Sequence, residues 1–200
     1  MKNYFWDFDG MLFDSYPHIT TAFLRMMEDY GKQADYHEAK ALFEISFGEA
    51  YNHYGATEEM RAEHHRYDRM YDLEPEVIPF ENTYKTLEIL FNRGARHYLY
   101  THRGHETSQY YLKKYDMLKF FSGFADSDMK FPLKPAPDAL NYLCEEYGID
   151  KSESVMIGDR EIDVAAGKNA GMYGCLYTKE KSPVTVADFV VCDIIGVTEI

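Results

Sequence analysis

Cysteine is scarce in this sequence, with only Cys144, Cys175 and Cys192 among 200 residues. They lie far apart and form no Cys-x-x-Cys pair, so the sequence predicts reduced thiols rather than a disulfide framework or a zinc site. No stretch approaches the roughly 18 apolar residues of a membrane span. The first residues lead straight into a predicted strand, without a signal-peptide pattern. We therefore expect a cytoplasmic protein with no membrane partner.

Positive charge is also in short supply. Lys and Arg number 21 against 34 Asp and Glu, which gives a formal net charge of −13. This balance argues against nucleic acid and anionic membrane surfaces as partners. It also requires local positive charge at the site of any anionic substrate. The apolar fraction of 46% is ample for a core, and the length suits one domain or a core domain with a small insert. The oligomeric state is not indicated.

The stretch at residues 4–15 organises the sequence. Its aromatic run ends in two carboxylates one residue apart, Asp7 and Asp9, followed by Gly10. The run predicts a strand buried on both faces, which places the acids at its carboxyl end, where open α/β sheets bind ligands. Two carboxylates this close are hard oxygen ligands that suit Mg²⁺. A second Asp-x-Asp, at residues 126–128, lies in a predicted loop, where a solvated turn is the ordinary interpretation.

Strands and helices alternate along most of the remaining chain, which predicts an α/β fold with a doubly wound parallel sheet. Residues 15–78 depart from this alternation because they contain only helical patterns, and Pro75 and Pro79 mark the return. We therefore expect a core domain, residues 1–14 and 79–200, with an inserted helical domain. The histidines of the insert lack a metal-ligand spacing, and we interpret them as ordinary helix residues. After a first helix, the insert has predicted helices at residues 35–44, 48–54 and 57–72.

Several polar side chains follow the predicted core strands. They are Asp7 and Asp9, Thr101, Lys134 on a loop, and Asp159 with Asp163. Each has an ordinary interpretation alone: Thr101 and Asp159 as helix caps, Lys134 as a solvated lysine. The carboxyl ends of parallel strands share one sheet edge, however, so these groups are expected to converge. Acids, a hydroxyl and an ammonium are the parts needed for phosphoryl transfer, in which a carboxylate can accept the phosphoryl group.

With these motifs, the sequence resembles the haloacid dehalogenase-like superfamily along nearly the whole chain. The matching motifs are residues 7–15, Thr101, residues 134–138, and Gly158 and Asp159 with Asp163. Residues 14–19 are similar to the opening of phosphoglycolate phosphatases, and residues 15–78 look like that family's helical cap. The resemblance implies a Rossmann-like core with a small cap domain.

The resemblance also implies roles for the acids. Asp7 is expected to be the nucleophile and a Mg²⁺ ligand. Asp9 is expected to be the general acid/base, with its backbone carbonyl on the metal. Asp159 would complete the metal site, and Asp163 would support it as a ligand or as a neighbour of one. The presence of Asp9, which the dehalogenase branch lacks, favours phosphoryl chemistry.

Thr101 and Lys134 are expected, by the same resemblance, to bind the phosphoryl group. The sequence departs from the family pattern at Met11, where Thr or Val is usual. It departs again at His102, where Asn is frequent, and at Arg103, where Lys is common. His102 and Arg103 are therefore candidate phosphate- or substrate-binding residues, and these changes leave the choice of substrate open.

A break between two helical stretches of the insert, at residues 44–49, supplies candidates for substrate selection. In similar caps a loop at this place reaches into the active site, which makes Ser46 and Phe47 candidate substrate contacts. The alternative is a plain interhelical turn, which Gly48 would permit.

The function that this resemblance implies is a Mg²⁺-dependent phosphatase. It would hydrolyse a small phosphomonoester through an aspartyl-phosphate, as a phosphoglycolate phosphatase does. A sugar-phosphate mutase of the β-phosphoglucomutase kind shares every core motif and stays an alternative. Two remoter alternatives are a phospho-accepting signalling receiver and a binding protein on an inactive scaffold. A receiver is shorter and accepts phosphate on a middle strand, and an inactive scaffold would have lost Asp7 or Asp9.

Overall fold

The computed structural model describes residues 1–180 and 183–200. The chain forms two compact units. One contains Met1–Phe13 with Pro79–Ile200, and the other contains Asp14–Ile78. Within the described ranges, no helix combines the length and the apolar character that a membrane crossing requires.

Eight strands and eight α-helices make up the regular structure of the described residues. The strands are β1 (Asn3–Trp6), β2 (Phe13–Asp14), β3 (Ile78–Pro79), β4 (Arg96–Tyr100), β5 (Phe121–Ala125), β6 (Ser154–Gly158), β7 (Tyr173–Tyr177) and β8 (Phe189–Val191). The helices are α1 (Tyr16–Asp29), α2 (Tyr36–Ile45), α3 (Phe47–His53), α4 (Glu58–Asp68), α5 (Thr83–Asn92), α6 (His105–Lys114), α7 (Asp138–Tyr147) and α8 (Glu161–Ala170). Short 3₁₀ turns occupy Leu118–Phe120, Ser127–Met129, Lys151–Glu153 and Ile194–Glu199.

A six-stranded parallel sheet forms the core unit, with the strand order β5-β4-β1-β6-β7-β8. Every residue of β1 is buried, which is why three consecutive aromatic residues follow Asn3 in place of an alternating pattern. Trp6 pairs with Leu99 of β4 on one side and with Ile157 of β6 on the other. The sheet confirms the predicted α/β class. The chain leaves β1 towards β4 and later returns to its other side at β6, which makes this position a topological switch point.

Two aromatic pairs pack the faces of the central strands. Phe5 stacks on Tyr98, with ring centroids 4.9 Å apart. Trp6 is completely buried, and its indole N–H donates a hydrogen bond to Nδ1 of His97 at 2.9 Å. Burial lowers the pKa of His97 to about 4. The ring is therefore neutral near neutral pH, and Nδ1 is the unprotonated nitrogen because it accepts the indole proton.

The helical unit contains α1 to α4, and its core surrounds Phe23 and Phe43, whose rings meet edge to face at 5.1 Å. His64 lies completely buried in this core. Its Nε2 donates to the carbonyl of Ile19 at 2.9 Å, and its Nδ1 lies 2.8 Å from the Tyr51 hydroxyl. Burial lowers the pKa of His64 to about 4. A neutral, hydrogen-bonded imidazole explains the buried histidine without a metal.

The last helix of this unit ends earlier than its sequence predicts, at Asp68 instead of residue 72. The side chain of His18 supplies the reason. Its Nε2 lies 3.0 Å from the carbonyl oxygen of Asp68, and its Nδ1 lies 3.1 Å from those of Leu73 and Pro75. The carbonyl of Asp68 thus lies against an imidazole nitrogen from α1 rather than against an N–H of a continued helix.

Candidate functional site

Asp7 extends the central strand by one residue, since its N–H donates to the carbonyl of Ile157 at 2.9 Å. This bond fixes its side chain at the carboxyl edge of the sheet, where it is only 1% exposed. Lys134 Nζ donates to Oδ1 of Asp7 at 2.7 Å. Burial raises the pKa of Asp7 to about 6, although Lys134 opposes the rise. A buried carboxylate with a raised pKa beside a cation is a frequent feature of catalytic sites.

Asp9 follows in a tight turn. The N–H groups of Leu12 and Phe13 both donate to the carbonyl of Phe8, and Gly10 adopts a φ of 76°, which suits a residue without Cβ. Arg103 reaches Oδ1 of Asp9 with Nε at 3.0 Å and Nη2 at 2.8 Å. Arg103 was expected near phosphate or substrate. In the structure its guanidinium binds the carboxylate of Asp9, the candidate acid/base.

Lys134 is buried between two carboxylates. Its Nζ lies 2.7 Å from Asp7 Oδ1 and 2.8 Å from Asp163 Oδ1, and it also lies 4.6 Å from the centroid of the Tyr100 ring. Burial by itself would lower the pKa of Lys134, but Asp163 and Asp7 outweigh it and raise the pKa. The ammonium is therefore charged and directed at the candidate nucleophile.

Thr101 and His102 follow β4. The Thr101 N–H donates to Ala125, its side chain is buried, and its hydroxyl accepts the N–H of Arg103 at 3.0 Å. His102 Nε2 accepts the backbone N–H of Lys134 at 3.1 Å. Burial, together with Lys134 and Arg160, lowers the pKa of His102 to about 4. His102 therefore supports the loop of the lysine as a neutral acceptor, a role that its position after Thr101 did not suggest.

The carboxylates of Asp7, Asp159 and Asp163 form a cluster in which one ligand atom from each lies within 4.8 Å of the others. Gly158 makes room for it, because a Cβ there would overlap the side chain of Asp163. Oδ2 of Asp7 is buried and has no hydrogen-bond partner among the described residues. Such an all-oxygen, anionic donor set with an unsatisfied buried oxygen fits a hard divalent cation. We call these three residues the carboxylate cluster.

Sequence reasoning missed Arg160 at this cluster. Its Nη2 lies 3.8 Å from Asp7 Oδ2, and its Nε lies 3.8 Å from Asp159 Oδ1 and 3.9 Å from Asp163 Oδ2. Its backbone N–H donates to Asp163 Oδ2 at 3.1 Å. The only signal in the sequence was adjacency to Asp159, which does not fix the direction of a long side chain.

The second Asp-x-Asp is structural rather than a solvated turn. Asp126 is buried, and its Oδ2 lies 2.7 Å from Nδ1 of His105. Asp128 accepts the backbone N–H of His105 at 3.0 Å, at the start of α6. The pair therefore fixes the beginning of this helix.

Ser46 and Phe47 have local roles within the helical unit. The Ser46 hydroxyl accepts the N–H of Glu49 at 3.0 Å and so caps α3. Phe47 begins α3, and its ring meets that of Phe43 edge to face at 5.1 Å and stacks on that of His64 at 6.2 Å. Residues 44–49 thus contain an interhelical turn, and contact with substrate stays a prediction.

Comparison with known proteins gives a match along most of the chain. The family model described as haloacid dehalogenase-like hydrolase matches residues 4–176. A phosphoglycolate phosphatase of Vibrio cholerae serotype O1 is 29% identical over 185 residues, which cover 84% of this chain and 80% of that protein. A solved hydrolase structure from Streptococcus pneumoniae TIGR4 has 31% identity and a TM-score of 0.64, with coverage of 89% and 94%.

A further relative matches a shorter segment. It is the pyrophosphatase PpaX of Halalkalibacterium halodurans, 32% identical over 96 residues. The match covers 48% of this chain, and the chain spans 45% of that protein's length.

Proposed function

The chain belongs to the haloacid dehalogenase-like hydrolase family, and we propose that it is a Mg²⁺-dependent phosphatase of a small phosphomonoester. One observation carries this proposal. Asp7, buried at the carboxyl edge of the sheet, lies 2.7 Å from Lys134 and belongs to a cluster of three carboxylates. The proposed nucleophile, the proposed cation for phosphoryl oxygens and the proposed metal ligands are therefore close neighbours. The phosphoglycolate phosphatase of V. cholerae supports the same substrate class.

Asp7, Asp159 and Asp163 would hold the metal, with the backbone carbonyl of Asp9 as a further ligand. A bound Mg²⁺ supplies positive charge that lets the anionic phosphoryl group approach the anionic nucleophile. This fits a chain with a formal net charge of −13, which needs local positive charge to bind an anion. Nucleophilic attack, proton transfer and binding of the phosphoryl oxygens would be performed by side chains of the protein.

In the first step we propose that an oxygen of Asp7 attacks phosphorus. The bond from phosphorus to the ester oxygen breaks, and the phosphoryl group remains on Asp7 as an aspartyl-phosphate. Asp9 donates a proton to the leaving oxygen, so that an alcohol departs rather than an alkoxide. The Arg103 guanidinium holds Oδ1 of Asp9 with two nitrogens and so orients this carboxyl group.

In the second step Asp9 takes a proton from water, and the water oxygen attacks phosphorus. The acyl-phosphate bond breaks, inorganic phosphate leaves and the Asp7 carboxylate is restored. The Lys134 ammonium and the Thr101 hydroxyl would bind phosphoryl oxygens in both steps. Their fixed positions are the form of electrostatic stabilisation on which phosphoryl transfer depends.

The helical unit, which contains residues 14–78, is proposed to act as the cap that selects the leaving group. The core side chains act on the phosphoryl group, which is common to all phosphomonoesters. Recognition of the rest of the substrate therefore needs another part of the chain. Ser46 and Phe47 are the proposed contacts.

Diphosphate is a second candidate substrate, because the matching segment of PpaX belongs to a pyrophosphatase. The same two steps would apply, with phosphate as the leaving group. Arg103 and Arg160 add two cations to the region of Asp9 and the carboxylate cluster.

A phosphate-release screen with Mg²⁺ tests the proposal. It would contain 2-phosphoglycolate, sugar phosphates, diphosphate and nitrophenyl phosphate. The variant Asp7→Asn should lose several orders of magnitude in kcat while it stays folded. The exposed Asp116 provides the matched control, Asp116→Asn, which should retain full activity.

Undiminished phosphate release by folded Asp7→Asn would exclude the covalent mechanism. Isomerisation of a sugar phosphate without net phosphate release would instead identify a mutase. A protein that releases no phosphate from any of these compounds, with Mg²⁺ present, would refute the proposed activity.

A further inference from the structure

Arg160 lies against all three members of the carboxylate cluster at once. Its guanidinium nitrogens are 3.8 Å from Asp7 Oδ2, 3.8 Å from Asp159 Oδ1 and 3.9 Å from Asp163 Oδ2. The side chain is 12% exposed, so solvent screens these interactions poorly. The guanidinium therefore faces the same carboxylate oxygens that are expected to hold a divalent cation.

Lys134 and Arg160 relate to the cluster in different ways. Lys134 makes two short ion pairs, at 2.7 Å to Asp7 and at 2.8 Å to Asp163, and its side chain is completely buried. Arg160 shares three longer contacts and lies at the more exposed side of the cluster. A long arginine side chain at an element boundary can move away from such contacts at a smaller cost than the buried lysine.

The charge balance of the carboxylate cluster indicates how Arg160 affects cation binding. Three carboxylates face two cationic side chains, Lys134 and Arg160, so one negative charge remains when all are ionised. Without Arg160 two would remain, which matches the charge of a divalent cation. The arginine therefore opposes cation binding because its charge lies within 4 Å of the same carboxylate oxygens and repels a second cation there.

We propose that Arg160 is a resident counter-ion of the carboxylate cluster that competes with the divalent cation for its ligands and weakens cation binding. When the cation binds, the guanidinium withdraws from the cluster. This proposal rests on the metal site of the proposed function. It goes beyond that function because it assigns the cation affinity to a residue outside the ligand set.

Direct binding of Mn²⁺ tests this proposal without reference to turnover. Free Mn²⁺ is measured by electron paramagnetic resonance during titration of the wild-type protein and its variants. Arg160→Gln and Arg160→Met remove the charge, and both should bind Mn²⁺ about tenfold more tightly, or more, since a close positive charge is lost in a poorly screened site. Arg160→Lys keeps the positive charge that repels the cation, and its Mn²⁺ affinity should stay within about threefold of wild type.

Two further variants make the result specific. Arg93→Gln removes an exposed arginine charge from the end of α5 and should leave the Mn²⁺ affinity unchanged, which excludes an effect of net charge alone. Asp159→Asn should weaken Mn²⁺ binding, which places the measured ion at the cluster. Far-ultraviolet circular dichroism establishes that each variant is folded.

Unchanged or weaker Mn²⁺ binding in folded Arg160→Gln and Arg160→Met would overturn the proposal. An equal gain in Arg93→Gln would overturn it as well. Phosphate release by the wild-type protein separates this failure from that of the proposed function. An active, Mg²⁺-dependent wild type whose Arg160 variants bind Mn²⁺ normally refutes only the role of Arg160, whereas a wild type without cation binding refutes both.

Discussion

The hydrogen bond between Trp6 and His97 makes the core unit sensitive to acid. His97 Nδ1 accepts the indole N–H at 2.9 Å, and protonation would turn this acceptor into a second donor. Folding therefore favours the neutral ring, in agreement with burial lowering the pKa of His97 to about 4. The perturbation that tests this account is His97→Asn. Its side-chain oxygen can still accept the indole proton, but it does not titrate.

The magnitude follows from the two pKa values. An unfolded chain binds a proton at His97 near pH 6.5, whereas the folded protein does so near pH 4. The neutral ring thus contributes full stability above about pH 6.5, and the contribution is lost as pH falls towards about 4. At about pH 5 the loss is about 2 kcal/mol, and below about pH 4 it reaches about 3 kcal/mol.

The assay uses the protein's single tryptophan. Because Trp6 is buried in β1, its fluorescence reports unfolding of the core unit in urea. The free energy of unfolding is measured at about pH 7.5 and about pH 5, and the difference is compared between wild type and His97→Asn. The variant is expected to be less stable at both pH values because it loses ring packing. Its fall in stability on acidification should be smaller by about 2 kcal/mol.

Other groups also titrate in this range, including His64 in the helical unit, but they are common to both proteins and cancel in the comparison. The exposed His37 lies in the helical unit, and His37→Asn supplies the matched control because it leaves the hydrogen bond between Trp6 and His97 in place. An identical fall in wild type and His97→Asn would refute the reasoning, because the neutral state of His97 would then not be linked to folding.

Three predictions concern the site. Asp9→Asn should lower kcat about 10²–10⁴-fold for an alkyl phosphate and less for nitrophenyl phosphate; equal losses for both esters in steady-state assays would argue against an acid role. Asp159→Asn should raise the Mg²⁺ concentration for half-maximal activity in a metal titration, and an unchanged value would exclude it as a ligand. Ser46→Ala or Phe47→Ala should reduce kcat/KM for the best natural substrate about tenfold, or about 1.4 kcal/mol, and spare nitrophenyl phosphate. Parallel losses on both substrates would indicate damage to the fold.

The sequence alone was sufficient for the sheet and for the location of the candidate site. The aromatic run before Asp7 predicted a buried parallel strand, and β1 is buried at every residue. Because parallel strands end at one edge, the acids after β1 and β6 were expected to meet, and Asp7, Asp159 and Asp163 do lie together. A buried strand and the polar residues that directly follow it are local features of the sequence, so they can be predicted without knowledge of the tertiary structure.

Only the tertiary structure decided how individual side chains pair. Lys134 lies between Asp7 and Asp163, Arg160 faces the cluster, and Trp6 donates to His97, in each case without a signal in residue spacing. Partners such as Asp7 and Lys134 are 127 residues apart in sequence, so their approach depends on how strands and loops assemble. The sequence by itself determined which chemical groups reach the edge of the sheet. The packed structure decided which carboxylates are neutralised and by which cation. The reason is that a long side chain can reach several partners, and its pairing is fixed only by the positions of all of them.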